Sequence, residues 1–171
     1  MGESALFSST LGSQNVAVGK SSLYSNTNGY YNTAVGCSTL HNNTWGTSNT
    51  AGGYNALYYN TSGSYNVALG DLAATSNTSG NYNAAVGRTA LYTNTTGYSN
   101  SAFGHQALYR NLTGFNNTGI GYSSLYENTT GSFNTAVGYT AGPLFGSLIN
   151  STAIGSYAQV SQKQQRGNRK H

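Results

Sequence analysis

Apolar and polar positions along this chain follow neither a helical stripe nor plain alternation; they recur every 17 residues. NVAVG begins at Asn15, NTAVG at Asn32, NTAGG at Asn49, NVALG at Asn66, NAAVG at Asn83, NSAFG at Asn100, NTGIG at Asn117 and NTAVG at Asn134, each start 17 residues after the last. Ser151 opens a ninth, partial unit, and Ser4 to Gln14 fit the second half of a unit before the first. With the unit numbered 1 to 17 from its Asn, the consensus is N-T-A-V-G-Y-S-A-L-Y-x-N-T-T-G-x-x. Slot 5 is always Gly, slot 3 is Ala except Gly119, and slot 9 is Leu in six of the eight full units. Slot 15 is Gly up to Gly131, and slot 10 is mostly Tyr.

A fixed period of this length is the mark of stacked repeats. The unit is too short for a helical hairpin, and it has no 3.6-residue apolar stripe. Two glycines ten residues apart suit two corners of a coil. The stretches between them, such as TAV and ALY, have the length of short strands. Stacking places each slot about 4.8 Å above its predecessor, so like side chains form columns. Asn columns can share amide hydrogen bonds, and aromatic columns can stack. The predicted fold is therefore all-β, a parallel β-solenoid of about nine 17-residue coils over residues 1–160, with a basic disordered tail over 161–171. The competing reading is a low-complexity disordered chain, which unbroken spacing and fixed apolar slots oppose.

The expected core is thin: Ala at slot 3, an aliphatic at slot 4, small residues at slot 8 and Leu at slot 9. It leaves a strip of aromatics uncovered, with Tyr24, Tyr58, Tyr92, Tyr109 and Tyr126 at slot 10 and further rings at slots 16 and 17. Such a strip is either an assembly or ligand surface or a cover over the core edge. The slot-10 tyrosines are the candidate contact residues, since rings stack on flat partners and sugar faces.

Composition then narrows the function. Only 6% of the residues are charged, with three Asp and Glu in total, so acid–base catalysis has few groups to use. Four of the seven basic residues (Lys163, Arg166, Arg169 and Lys170) lie in the tail. The pI near 9.2 therefore belongs to that end and is no sign of a nucleic-acid groove. His41 and His105 fall on different columns, which disfavours a metal site. Cys37 has no partner for a disulfide, and Asp71 and Glu127 are too far apart in the repeat to pair for glycoside cleavage. No apolar run approaches a membrane span or a signal peptide.

NTAVGY and the run N-S-T-A-I-G-S-Y-A-Q-V from Asn150 to Val160 resemble the head repeats of trimeric autotransporter adhesins. Alternation with A-L-Y-x-N-T-T-G is similar to the Asn- and Tyr-rich repeats of phage tail-fibre and tail-spike proteins. The resemblance implies a left-handed β-roll, assembly of three chains side by side, and binding to host or matrix surfaces. The adhesin unit is shorter than 17 residues, and no stalk, anchor or chaperone segment follows here, so the sequence is expected to be a fragment or a stand-alone assembly unit.

Three further features are candidates. Asn60, Asn77, Asn94, Asn111 and Asn128 at slot 12 begin glycosylation sequons, as do Asn42, Asn116 and Asn150 elsewhere in the unit. The alternative is that N-T-T-G is simply a turn. Thr61, Thr78, Thr95 and Thr129 form a row that by analogy would suit ice binding. Pro143, Leu144, Phe145, Leu148 and Ile149 interrupt the eighth unit and suit a cap or an end-to-end contact. The expected function is a non-enzymatic structural or adhesive fibre protein outside the cell, at a cell surface or on a virion. Its expected partners are itself, as homotrimer or filament, and host or matrix glycans, with no cofactor, nucleic acid or membrane insertion. The alternatives are an ice- or surface-binding solenoid and, behind it, a polysaccharide-degrading tail-spike.

Overall fold

The computed structural model describes residues 2–161, so the basic tail, apart from Ser161, lies outside the described residues. The chain winds as a parallel β-solenoid, all-β and without a helix among the described residues. Slots 2 to 4 form one short strand per coil: β1 (Val16–Val18), β2 (Thr33–Val35), β3 (Thr50–Gly52), β4 (Val67–Leu69), β5 (Ala84–Val86), β6 (Ser101–Phe103), β7 (Thr118–Ile120), β8 (Thr135–Val137) and, after a break, β10 (Thr152–Ile154). They make one nine-stranded parallel sheet in chain order. Its register joins like slots throughout, as in Ala34 with Ala51 and Ala51 with Ala68. A two-stranded sheet of β9 (Gly142–Pro143) and β11 (Gln159–Val160) closes the C-terminal coils.

The expected second strand, ALY, is not one. Slots 7, 9 and 17 hold left-handed backbone, as at Asn55 (φ 53°), Leu57 (φ 51°) and Tyr65 (φ 59°). For a residue with a Cβ this costs about 1–2 kcal/mol. Coil-to-coil hydrogen bonds and burial offset it: the Leu57 amide donates to the Ala73 carbonyl at 3.0 Å, and its side chain is fully buried. Backbone bonding therefore continues up the stack through the turns as well as the sheet.

The two glycine slots serve different ends. Slot 5 is left-handed, with φ between 118° and 139°. A Cβ on Gly70 would also meet the Gly87 carbonyl oxygen at 2.6 Å. Slot 15 has no positive φ, contrary to the corner expected there. Its glycines are needed because the coil above approaches so closely that a Cβ on Gly80 would overlap the Gly97 carbonyl oxygen.

The core is also composed differently from expectation. Slot 3 Ala, slot 8 and slot 9 Leu are buried, but slot 4 is not. Side chains alternate across a strand, so burying slot 3 sends slots 2 and 4 outward. Val18, Val35, Leu69, Phe103, Ile120 and Ile154 are all exposed. The interior is completed by two columns of buried asparagine, at slots 1 and 12. In the slot-12 column, Asn77 Nδ2 donates to Asn60 Oδ1 at 2.8 Å, and Asn94 Nδ2 donates to Asn77 Oδ1 at 2.8 Å. In the slot-1 column, each side-chain oxygen accepts the backbone amide one coil up, as Asn49 Oδ1 does from Asn66 at 2.9 Å. Both columns converge on the slot-15 carbonyl: Gly63 accepts Asn49 Nδ2 at 2.8 Å and Asn60 Nδ2 at 2.9 Å. A polar core is tolerable because nearly every buried group finds a partner; among the described residues Ser124 Oγ is the buried side-chain atom without one.

Candidate functional site

The outer surface carries columns of rings and, along the sheet, the exposed slot-4 column. At slot 10, Phe7, Tyr24, His41 and Tyr58 stack with centroids 4.9–5.1 Å apart. After Thr75 the column resumes with Tyr92, Tyr109 and Tyr126 at 5.1 Å per step. Shorter columns occur elsewhere, such as Tyr65 on Tyr82 (5.1 Å) and Tyr122 on Tyr139 (5.0 Å). The spacing follows from the coil rise, which holds rings of successive coils within offset-stacking distance. His41 is thus a rung between two tyrosines, and His105 lies against Tyr122 in another column.

The five slot-10 tyrosines are brought together, but as half-buried rungs. Stacking covers both faces of Tyr24 and of Tyr109. The Arg110 guanidinium lies 5.5 Å from the Tyr126 centroid. The column is broken at Thr75, between Tyr58 and Tyr92. There the surface opens into a cleft of about 390 Å³, lined by Tyr58, Tyr59, Thr75, Ser76, Tyr92 and neighbouring residues.

The slot-12 sequon asparagines are placed where no sugar can be attached to the folded chain. Asn60, Asn77, Asn94, Asn111 and Asn128 are at most 1% exposed, and each Nδ2 is committed to an Asn below and a Gly carbonyl. Locally, Asn60 Nδ2 reaches the Gly63 carbonyl three residues on, while the Thr61 hydroxyl bonds one coil away. Asn116 and Asn150 are exposed, and Asn42 is half-buried.

The slot-13 threonine hydroxyls are engaged inside their own ladder. Thr61 Oγ1 donates to the Thr78 carbonyl and Thr78 Oγ1 to the Thr95 carbonyl, each at 3.0 Å. Opposite charges stand one coil apart in single columns, as Lys20 with Glu3 (3.2 Å) and Arg110 with Glu127 (2.8 Å). Both pairs are exposed and contribute little to stability. Among the described residues no cluster of metal-ligating side chains occurs, and Cys37 is an exposed free thiol.

The interrupted eighth unit is split by burial. Pro143 and Leu148 face inward, Pro143 in the strand that pairs with β11, and the Leu148 carbonyl accepts Asn134 Nδ2 at 2.7 Å where other units use glycine. Leu144, Phe145 and Ile149 are exposed. The unit keeps its length, because the Gly146 carbonyl takes the bonds from Thr129, Thr130 and Gly131.

Sequence reasoning missed the outward slot-4 column. The signal was present in the period of two within T-A-V, which puts Ala and Val on opposite faces. Compared with known protein families, curated proteins and solved structures, the chain matches none.

Proposed function

We propose that the chain is a non-enzymatic structural and adhesive module that works by associating with further copies of itself, as part of an extracellular fibre, adhesin head or tail fibre. The observation that carries this reading is the exposed slot-4 column of Val, Leu, Phe and Ile on a nine-stranded sheet. Nine strands extend about 38 Å at the usual strand spacing, and the three residues of each strand are about 10 Å wide. The resulting area, roughly 380 Å², is about half of the 800 Å² or so that each partner buries in a standard interface, so the contact would also take in the ring-bearing slots that border the strand. The slot-4 side chains run up this face as an apolar column, the kind of surface that marks an interaction site. The resemblance to adhesin head repeats is consistent with side-by-side assembly through it. The exposed Leu144, Phe145 and Ile149 support a second, axial contact. Host or matrix glycans would be met by exposed rings outside the stacked columns, such as Tyr31 and Trp45.

Sedimentation velocity tests the reading. The wild-type chain is expected to sediment as an oligomer at micromolar concentration. The double variant Val35→Lys, Ile120→Lys is expected to sediment as a monomer with unchanged circular dichroism, because both side chains point outward. A monomeric wild type, or a double variant that still assembles, would sink the proposal.

A further inference from the structure

We propose that the cleft at Thr75 is a binding site for one neutral monocyclic phenol ring, which enters as the missing rung of the slot-10 column. Unit four replaces the Leu-Tyr of its neighbours by Ala74 and Thr75, yet its backbone keeps the common course. Ala74 retains the left-handed φ of slot 9, at 47°, and its amide donates to the Ala90 carbonyl at 2.8 Å. The ring is lacking while the backbone course is kept, and Thr75, only 5% exposed, forms the floor of the space between the two rings.

Its two ends are the rings of Tyr58 and Tyr92, two coils apart. The column advances 5.1 Å per coil, so two steps separate them by about 10 Å, close to twice the strand spacing. That gap admits one flat ring in offset contact with both. Tyr126 also faces a residue without a ring, Pro143, but at the end of the column; Tyr58 and Tyr92 are the pair that flank a gap with a ring on both sides. Tyr59 stands edge-on to Tyr58, 4.7 Å between centroids, as a side wall.

The polar lining selects further. Among the described residues, the side chains of Thr75, Ser76 and Asn55 make no hydrogen bond, and all three line the cleft. They are free to serve a hydroxyl on the ring edge. No charged side chain lines the space, so a phosphate or carboxylate would find no ion-pair partner there. A volume of about 390 Å³ lies within the range of small-ligand sites. A chair-shaped pyranose is thicker than one step of the column and fits less well than a planar ring. This site does not depend on association through the sheet face.

Para-cresol, the side chain that other units supply, is the probe. In the full chain with ring-labelled tyrosine, its titration is expected to shift the NMR signals of Tyr58, Tyr59 and Tyr92 together, with weak, millimolar affinity. Thr75→Tyr fills the gap and is expected to abolish those shifts. Tyr109→Thr removes a rung from the upper column and is expected to create a second site, seen as new shifts at Tyr92 and Tyr126. If Thr75→Tyr also weakens self-association, the natural ring is a tyrosine of a second copy; unchanged sedimentation assigns it to a free phenol. Retained para-cresol shifts in Thr75→Tyr, no new site in folded Tyr109→Thr, or tighter binding of methyl glucopyranoside than of para-cresol would each overturn the proposal.

Discussion

Replacing Asn94 by Ala removes one rung from the interior slot-12 column, and the structure sets the size of the loss. Asn94 is fully buried. Its Nδ2 donates to Asn77 Oδ1 at 2.8 Å and to the Gly97 carbonyl at 2.9 Å, and its Oδ1 accepts Asn111 Nδ2 at 2.8 Å. Two of the three partners keep a second bond: Gly97 with Asn83 at 2.8 Å, and Asn111 with Gly114 at 3.0 Å. Asn77 Oδ1 is left a buried acceptor without a donor. Net hydrogen bonds contribute about 1 kcal/mol each, and an orphaned buried polar group costs about 1–3 kcal/mol. The expected destabilisation is about 3–5 kcal/mol, a large share of a typical domain's stability. Asn94→Asp keeps the shape but turns an oxygen towards two acceptors, so it is expected to be at least as costly. Thr96→Ala, two residues away on the exposed surface, is the control and is expected to change stability by less than about 0.5 kcal/mol. Urea unfolding gives the free energies. Amide exchange is expected to show the loss centred on the fourth to sixth coils, because each repeat contacts only its neighbours. If Asn94→Ala costs less than about 1 kcal/mol, the asparagine columns do not hold the coils together and the energetic account is wrong.

Two further outcomes follow from the same geometry. Gly80→Ala is expected to cost about 1–3 kcal/mol or more in thermal or urea unfolding, because its Cβ overlaps the backbone oxygen of the next coil. Gly52→Ala on the outward face is expected to be nearly neutral, since its Cβ meets only the end of the Leu69 side chain at 3.2 Å. In a glycosylating host, peptide mass mapping of folded protein is expected to find sugar only at Asn42, Asn116 or Asn150. Sugar at Asn60 in the folded fraction would contradict the placement of its amide.

The period, the like-on-like register and the asparagine columns were legible in the residues, because constant unit length leaves few ways to stack. The inside and outside of the strand were misread at one slot. An aliphatic such as Val35 looks like core material, but the core is filled by Leu40 and Ala34 together with Asn32 and Asn43. Buried amides take the volume that Val was expected to fill. The turn geometry was legible only in part. Leu is a poor residue for left-handed backbone, so nothing in ALY announces that Leu57 adopts it; the bonds to the next coil that stabilise it come from residues a full unit away. The slot-12 sequons were ambiguous for a related reason. N-x-T matches both a glycosylation acceptor and a turn whose Asn points inward, and only the stack decides between them.

A repeat chain contains its own comparison, since each slot is tested in nine surroundings that differ little. Slots 1, 3, 5, 12 and 15 scarcely vary, and these are the positions where a side chain is buried or a neighbouring coil leaves no room. Structure therefore accounts for the constant slots, and activity specific to this chain has to be sought where one unit departs from the rest without losing register. Two departures change adjacent consensus positions at slots 9 and 10. The eighth unit exchanges its consensus for Gly142 to Ile149 and gains the β9–β11 pair, so its change is absorbed in closing the stack. Ala74 and Thr75 gain no compensating contact of that kind. They leave Tyr58 and Tyr92 facing an open gap of one rung, in a column otherwise filled by rings from Phe7 to Tyr126. Tyrosine there would extend stacking across two more interfaces in the same register, as in the units above and below, and its absence is the departure on which the proposed site rests.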